Sequence, residues 1–303
     1  MSLQHAFSRH PFFLAVPFTF FWASAFPATK FALRDCPPLA FLFMRFLLAG
    51  LLLMTLAYLQ GQRLNLTRKD WLGLTLLAAC NHALYLGVSW TGMRALSSGL
   101  ATIIIGASPI VVSLLAVPLL GERITARKLI GLALGFAGVI FIVRSRLGNG
   151  TDTLHGALMV GCALMILSLG TVLFKRLHVN ASLLCNMGLQ ALLASALMLP
   201  WSLATESPAD VRFTASTIGA LVWCVGVVSI GGYLLWFALL RITDASAASA
   251  WFFLTPPMGL VMGWLVLGEQ LQWHDLVGVL PVIAGIALVT RGAPVRPPAT
   301  RCR

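Results

Sequence analysis

GLATIIIGASPIVVSLLAVPLLGERITARKLIGLALGFAGVIFIVR, residues 99–144, and SAASAWFFLTPPMGLVMGWLVLGEQLQWHDLVGVLPVIAGIALVTR, residues 246–291, run in step when the chain is slid against itself by 147 positions. Pro109 falls on Pro256, Gly121-Glu122 on Gly268-Glu269, Gly131 on Gly278, Ala137-Gly138 on Ala284-Gly285 and Arg144 on Arg291. Arg94 on Arg241, Ala101 on Ala248 and Leu120 on Leu267 continue the match. Composition alone produces Leu and Ala coincidences. A co-registered Pro, a Gly-Glu pair, further Gly and two Arg point to internal duplication.

Outward from these stretches the chain is apolar almost throughout. Of 303 residues 59% are hydrophobic and 10% charged, against about 25% charged in soluble domains. Apolar segments cover residues 11–31, 38–59, 71–92, 96–120, 129–143, 154–174, 183–203, 218–240, 245–267 and 276–290. Most are long enough for a hydrocarbon core of about 30 Å at about 1.5 Å per helical residue. They are continuously apolar, not alternating, so helices are expected and a β-barrel is not. The reading is an all-α integral membrane protein of ten transmembrane helices. Its domains are two five-helix repeats, 11–144 and 154–291, and a disordered cytoplasmic tail, 292–303.

The charge balance of +12 is read as topology, with no nucleic-acid partner. Lys and Arg sit in short connections, fourteen on the side that holds both termini and six on the other, with Arg45 inside a segment and set apart. The excess places both termini in the cytoplasm, in a bacterial inner membrane. An odd number of helices per repeat sends the second copy in from the opposite face, so the halves are inverted. In agreement, Arg123, Arg127 and Lys128 follow Gly121-Glu122, whereas no Lys or Arg follows Gly268-Glu269 before the next segment. Inverted repeats are a transporter architecture with substrate held near the midplane. The first apolar stretch is too long for a signal-peptide core and reads as a retained helix. The six Cys form no pairing or metal-ligand pattern, and no metal or cofactor is expected.

Trp22-Ala23-Ser24, Lys30, Pro37-Pro38, Arg45-Phe46, Ala101, Pro109, Gly121-Glu122, Gly131 and Gly138 in the first half resemble the drug/metabolite transporter superfamily, in its EamA-type branch. So do Tyr233, Trp236, Ala238-Leu239, Ala245 to Ala248, Pro256, Gly268-Glu269, Gly278 and Gly285 in the second. The resemblance spans about residues 12–291. It implies a basket-like bundle whose cavity is lined by helices one, three, four, six, eight and nine, with five and ten at the back. It also implies export of amino acids, other metabolites or drug-like solutes.

All nine acidic residues fall in loops or at helix ends, so the ionisable candidates within the membrane are His82 and Arg45. His82 lies about 16 Å into helix three, near the midplane. Tyr85 and Ser89 share its stripe, with Asn81 alongside. The repeat maps His82 onto Ser229 and Ser89 onto Trp236, and Ser229, Tyr233 and Trp236 form a stripe of helix eight, so the two stripes are expected to face each other. His82 is also the candidate proton carrier; the competing reading is a hydrogen bond that merely holds helices together. Trp22, Ser24, Ser168, Trp251 and Thr255 are expected to complete an aromatic and hydroxyl-lined substrate pocket, or else to pack. Pro109, Pro256 and Pro257 are expected to kink helices four and nine as hinges, the alternative being a static bend. Arg45, about seven residues into helix two, is expected to snorkel or to meet a helix-end carbonyl, a structural role. Glu122 and Glu269 read as end-caps or gating contacts.

The expected function is a secondary exporter of amino acids or related metabolites, working by alternating access. A facilitative channel or uniporter, or an exporter of drug-like solutes on the same fold, is the alternative. Neither a phosphate loop nor a His-Glu-x-x-His or Gly-x-Ser-x-Gly motif occurs, and no enzyme is expected. The partners are a small-molecule substrate and the bilayer. A monomer is expected, with a homodimer as the alternative, because the Gly of helices five and ten permit close packing within or between subunits.

Overall fold

A computed structural model describes residues 11–96, 101, 104–144, 153–177, 179–267 and 273–290. Among these, every regular element is helical. We label them α1 (Pro11–Ala32), α2 (Pro38–Leu59), α3 (Arg68–Met93), α4 (Ile104–Leu120), α5 (Ala126–Arg144), α6 (Leu154–Arg176), α7 (Leu183–Thr205), α8 (Ala215–Ile242), α9 (Ala245–Val266) and α10 (Trp273–Thr290). Seven of them, α1, α2, α3, α6, α7, α8 and α9, are long and apolar enough to cross a membrane. α4 and the 277–290 part of α10 are shorter apolar helices. The tail 292–303, Gly268-Glu269 and Arg291 lie outside the described residues.

Several helices begin earlier than the apolar segments do, and polar caps are the reason. Thr67 and Asp70 form a capping box that starts α3 at Arg68, and Thr214 caps α8 from Ala215. A capping hydroxyl or carboxylate satisfies otherwise orphaned N–H groups of the first turn. Hydropathy sees neither residue.

Four of the described helices depart from α geometry. In α3 the run Ala79–Leu84 is a π-helix, and in α8 so is Cys224–Gly232. The repeat offset carries the first run into the second, so the same wide turn occurs at matching places. In α9, Ala250–Leu254 is a 3-10 segment before α-helix resumes at Thr255. α4 breaks at Ala107, and a new α-helix runs Ser108–Leu120. Pro109 occupies the first turn after the break at Ala107, where a missing N–H costs little, and Pro256 and Pro257 fall where α9 passes from 3-10 to α geometry at Thr255.

Helices matched by the repeat pack on each other, α2 along α7 and α5 along α10. In the α5–α10 seam a β-carbon on Gly131 would lie 2.8 Å from the Gly285 carbonyl oxygen, and one on Gly138 would lie 2.9 Å from that of Gly278. The Gly of these two helices are thus used inside the chain. Gly50 of α2 closes on Leu192 of α7 in the same way.

The ends of the helices are tied across the two halves. Glu122, after α4, accepts from Ala245 N at 2.8 Å and from the Ser246 hydroxyl, at the N-terminus of α9. Lys128 pairs with it at 3.6 Å. Glu206, after α7, accepts from Leu39 N at 2.9 Å and Ala40 N at 2.8 Å, at the N-terminus of α2. Each carboxylate meets the positive end of a helix whose own N-cap side chain makes no capping bond. Glu122 is thus an end-cap of another helix, not its own, and Glu206 is a second one that sequence reading passed over.

Candidate functional site

The residue that organises the interior is Arg45. It stands about 10 Å along α2 from Pro38 and is 1% exposed, so it does not snorkel to the interface. Its Nε donates to Ser229 Oγ of α8 at 2.7 Å. The guanidinium lies over the Phe46 and Trp90 rings, at 5.2 and 6.0 Å from their centroids. No ion pair to Arg45 occurs among the described residues. Its charge reaches His82, Tyr85, Cys224 and Tyr233. The snorkelling expectation for Arg45 is corrected, and α2, which the resemblance did not place at the cavity, contributes this residue to its lining.

His82 and Asn81 stand in the π turn of α3, 3% and 1% exposed. The imidazole meets Tyr233 at 4.5 Å and Phe46 at 5.0 Å between centroids. Neither of its nitrogens, nor either polar atom of the Asn81 side chain, makes a hydrogen bond among the described residues. Tyr233 OH donates to the Asn81 carbonyl oxygen at 3.3 Å. A π turn frees backbone carbonyls from the regular ladder, and here one receives a hydroxyl from the opposite half. The stripes of α3 and α8 do meet, His82 on Tyr233.

Trp22 of α1 closes the group. It stacks on Tyr85 at 6.2 Å, nearly parallel, and meets Tyr233 edge-on at 5.6 Å. Between these side chains lies a cavity of about 30 Å³, lined by Trp22, Arg45, Tyr85, Ser89, Trp90 and Tyr233, with Thr29, Met93 and Ile105 towards the end where α1 and α3 finish. That volume admits a water or two but not a metabolite.

Other expected residues lie elsewhere. Trp236 is buried among Phe18 and Phe252, at 4.9 and 5.0 Å, in the aromatic core beside Trp22. Ser24 donates to Phe21 O and accepts from Trp223 Nε1 at 3.0 Å, on a separate crevice of about 580 Å³ between α1, α8 and α9. That crevice is larger but apolar, with Phe20 and Trp223 on the exposed face of the bundle. It has the character of a lipid-facing groove. Trp251 contacts Phe12. Ser168 and Thr255 are fully buried, and neither hydroxyl has a partner among the described residues. Ser108 shares that state at the position the repeat matches to Thr255. Thus α6 and α9 do not line the cavity, whereas α1, α2, α3, α4 and α8 do. No cluster of three metal-ligating side chains occurs among the described residues.

The class this defines is a multi-pass helical membrane protein with a polar and aromatic centre. The EamA-like transporter family model matches residues 11–144 and again 154–291, and the chain belongs to that family, within the drug/metabolite transporter superfamily. The transporter YvbV of Bacillus subtilis, itself uncharacterized, is 31% identical over 268 residues, covering 88% of this chain and 87% of its own. A probable amino-acid metabolite efflux pump of Salmonella typhimurium is 26% identical, over 95% of this chain and 97% of its own. An S-adenosylmethionine/S-adenosylhomocysteine transporter of Chlamydia muridarum is 29% identical, over 89% and 88%. A crystal structure of another protein superposes with a TM-score of 0.77 at 17% identity, over 92% of this chain and 95% of that one. It shares the fold.

Proposed function

We propose that the chain is a secondary exporter of amino acids or related small metabolites, working by alternating access in the bacterial inner membrane. All ten helices cross the bilayer in this reading, as two inverted five-helix repeats with both termini cytoplasmic. The observation that carries it is the centre itself: His82 and Arg45 from one half meet Tyr233 and Ser229 from the other. Buried ionisable groups are costly in lipid and mark solute pathways, and a site between repeats is where rocking exposes it to either side in turn. The pairing of α2 with α7 and of α5 with α10 supports a pseudo-two-fold arrangement. Two relatives are named for an amino-acid metabolite and for S-adenosylmethionine. Both names point to amino acids or compounds related to them, which favours that substrate class.

The substrate contacts in this reading are Trp22, Tyr85, Ser89, Asn81, His82, Ser229 and Tyr233. Trp236 supports their aromatic wall, and the breaks before Pro109 and Pro256 serve as hinges. Ties at both ends, through Glu122 and Glu206, fit a closed intermediate of the cycle. The test is flux of a panel of labelled amino acids and related metabolites into proteoliposomes, with and without an imposed pH gradient. Saturable flux of one class is expected. Silence across amino acids and other solutes, in protein shown to be folded, overturns the reading.

A further inference from the structure

We infer that Arg45 is the anion-binding group of the central site, and that the solute it takes carries a carboxylate on an apolar or aromatic body. The inference rests on the transporter reading for its route of entry, but not for its chemistry. An Arg buried in a membrane bundle needs a partner for its charge. Among the described residues Arg45 has no carboxylate partner, and Ser229 engages one of the guanidinium's five N–H donors. The planar fork of the remaining donors matches a carboxylate, which it can hold by two parallel bonds.

The walls settle what accompanies that carboxylate. Trp22, Tyr85, Trp90 and Tyr233 line the same cavity as Arg45, and their rings offer an apolar body a surface on which to stack. His82, 97% buried and without a hydrogen bond from either nitrogen, lies within reach of the Arg45 charge. It lies behind Tyr233 and Phe46, against their rings, and is not part of the lining itself. No buried carboxylate stands in this lining, so nothing there selects a cation by charge. The competing reading is that Arg45 only ties α2 to α8 through Ser229. That role would leave acids and their neutral isosteres bound alike.

The experiment is equilibrium binding of radiolabelled benzoate, and of 3-phenylpropionate, to the purified full chain in detergent, each compared with its amide. The isosteres differ in charge and not in shape. In the wild type the acids are expected to bind at least tenfold more tightly than the amides, and in Arg45→Gln this preference falls to about twofold or less. Arg45→Lys, which keeps the charge and loses the fork, falls between them. Equal binding of acid and amide in the wild type, or a preference that persists in Arg45→Gln, overturns the proposal. If Arg45→Gln does not fold, the wild-type ratio and Arg45→Lys decide it. Acid-selective binding without flux of any amino acid would keep this site and discard the exporter reading. Flux without acid selectivity would do the reverse.

Discussion

A β-carbon at Gly131 would press on the backbone of α10, whereas one at Gly161 would meet nothing within 4 Å. Gly131→Val is therefore expected to cost about 1–3 kcal/mol through overpacking, seen as a lower melting temperature in detergent, and Gly161→Ala is expected to leave it unchanged. Equal effects of the two would mean that α5 and α10 do not meet at Gly131. His82 gives the second prediction at this scale. If it carries the coupled proton, His82→Ala and His82→Gln abolish the response of flux to a pH gradient while leaving gradient-free exchange measurable, and an unchanged response removes His82 as carrier. The stripe to which His82 belongs was legible from its spacing alone. The place of Arg45 was not, because α2 is apolar on every side and its sequence does not reveal which face meets α8 and which meets lipid. Ser229, on a π turn of that other helix, decides it, and nothing in the run Cys224–Gly232 announces such a turn.

Helix ends and breaks carry the next set of expectations. Cys36 lies in the short connection between α1 and α2, buried, and burial followed by the nearby Glu206 charge pushes its thiol up to about 12. It thus stays protonated at neutral pH, and its thiolate, the reactive form, grows only as pH rises towards that value. Glu206→Gln removes the like charge and the charge-assisted cap on α2, so it lowers the thiol towards its ordinary range and loosens its cover. Labelling of Cys36 by a maleimide at pH 8, in a background lacking the other cysteines, is expected to rise several-fold; an unchanged rate would mean that Glu206 does not hold this end shut. Pro109→Ala and Pro256→Ala address the breaks. Either change removes a ring that fixes the backbone at these positions, so if they are hinges maximal flux falls without a change in the half-saturating concentration. As static bends they alter neither. The caps were partly legible: Pro37 before α2 offers no capping side chain, which means that some other group must serve Leu39 N and Ala40 N. That the group is Glu206, 166 residues from Ala40 along the chain, is a fact of tertiary packing, to which apolar periodicity is blind.

At the scale of the molecule, two family matches in one chain, π turns at matching positions in α3 and α8, and matched helices packed in pairs belong to one pattern. The duplication was legible because Pro, Gly and Glu recur in register. The cavity membership was not: α6 and α9 present buried hydroxyls that resemble pocket residues in sequence but pack away from the lining. In the proposed function this small cavity is the solute path and opens to one side at a time. Ser89, in the lining and 1% exposed, is the place to measure it: Ser89→Cys in an otherwise Cys-free chain, probed in oriented vesicles with a membrane-impermeant thiol reagent from each side. Slow modification from either side is expected, with a shift of accessibility from one side to the other when substrate is added, and loss of flux on modification. Fast modification from both sides at once would describe a channel, and modification from neither side with flux intact would place the path elsewhere.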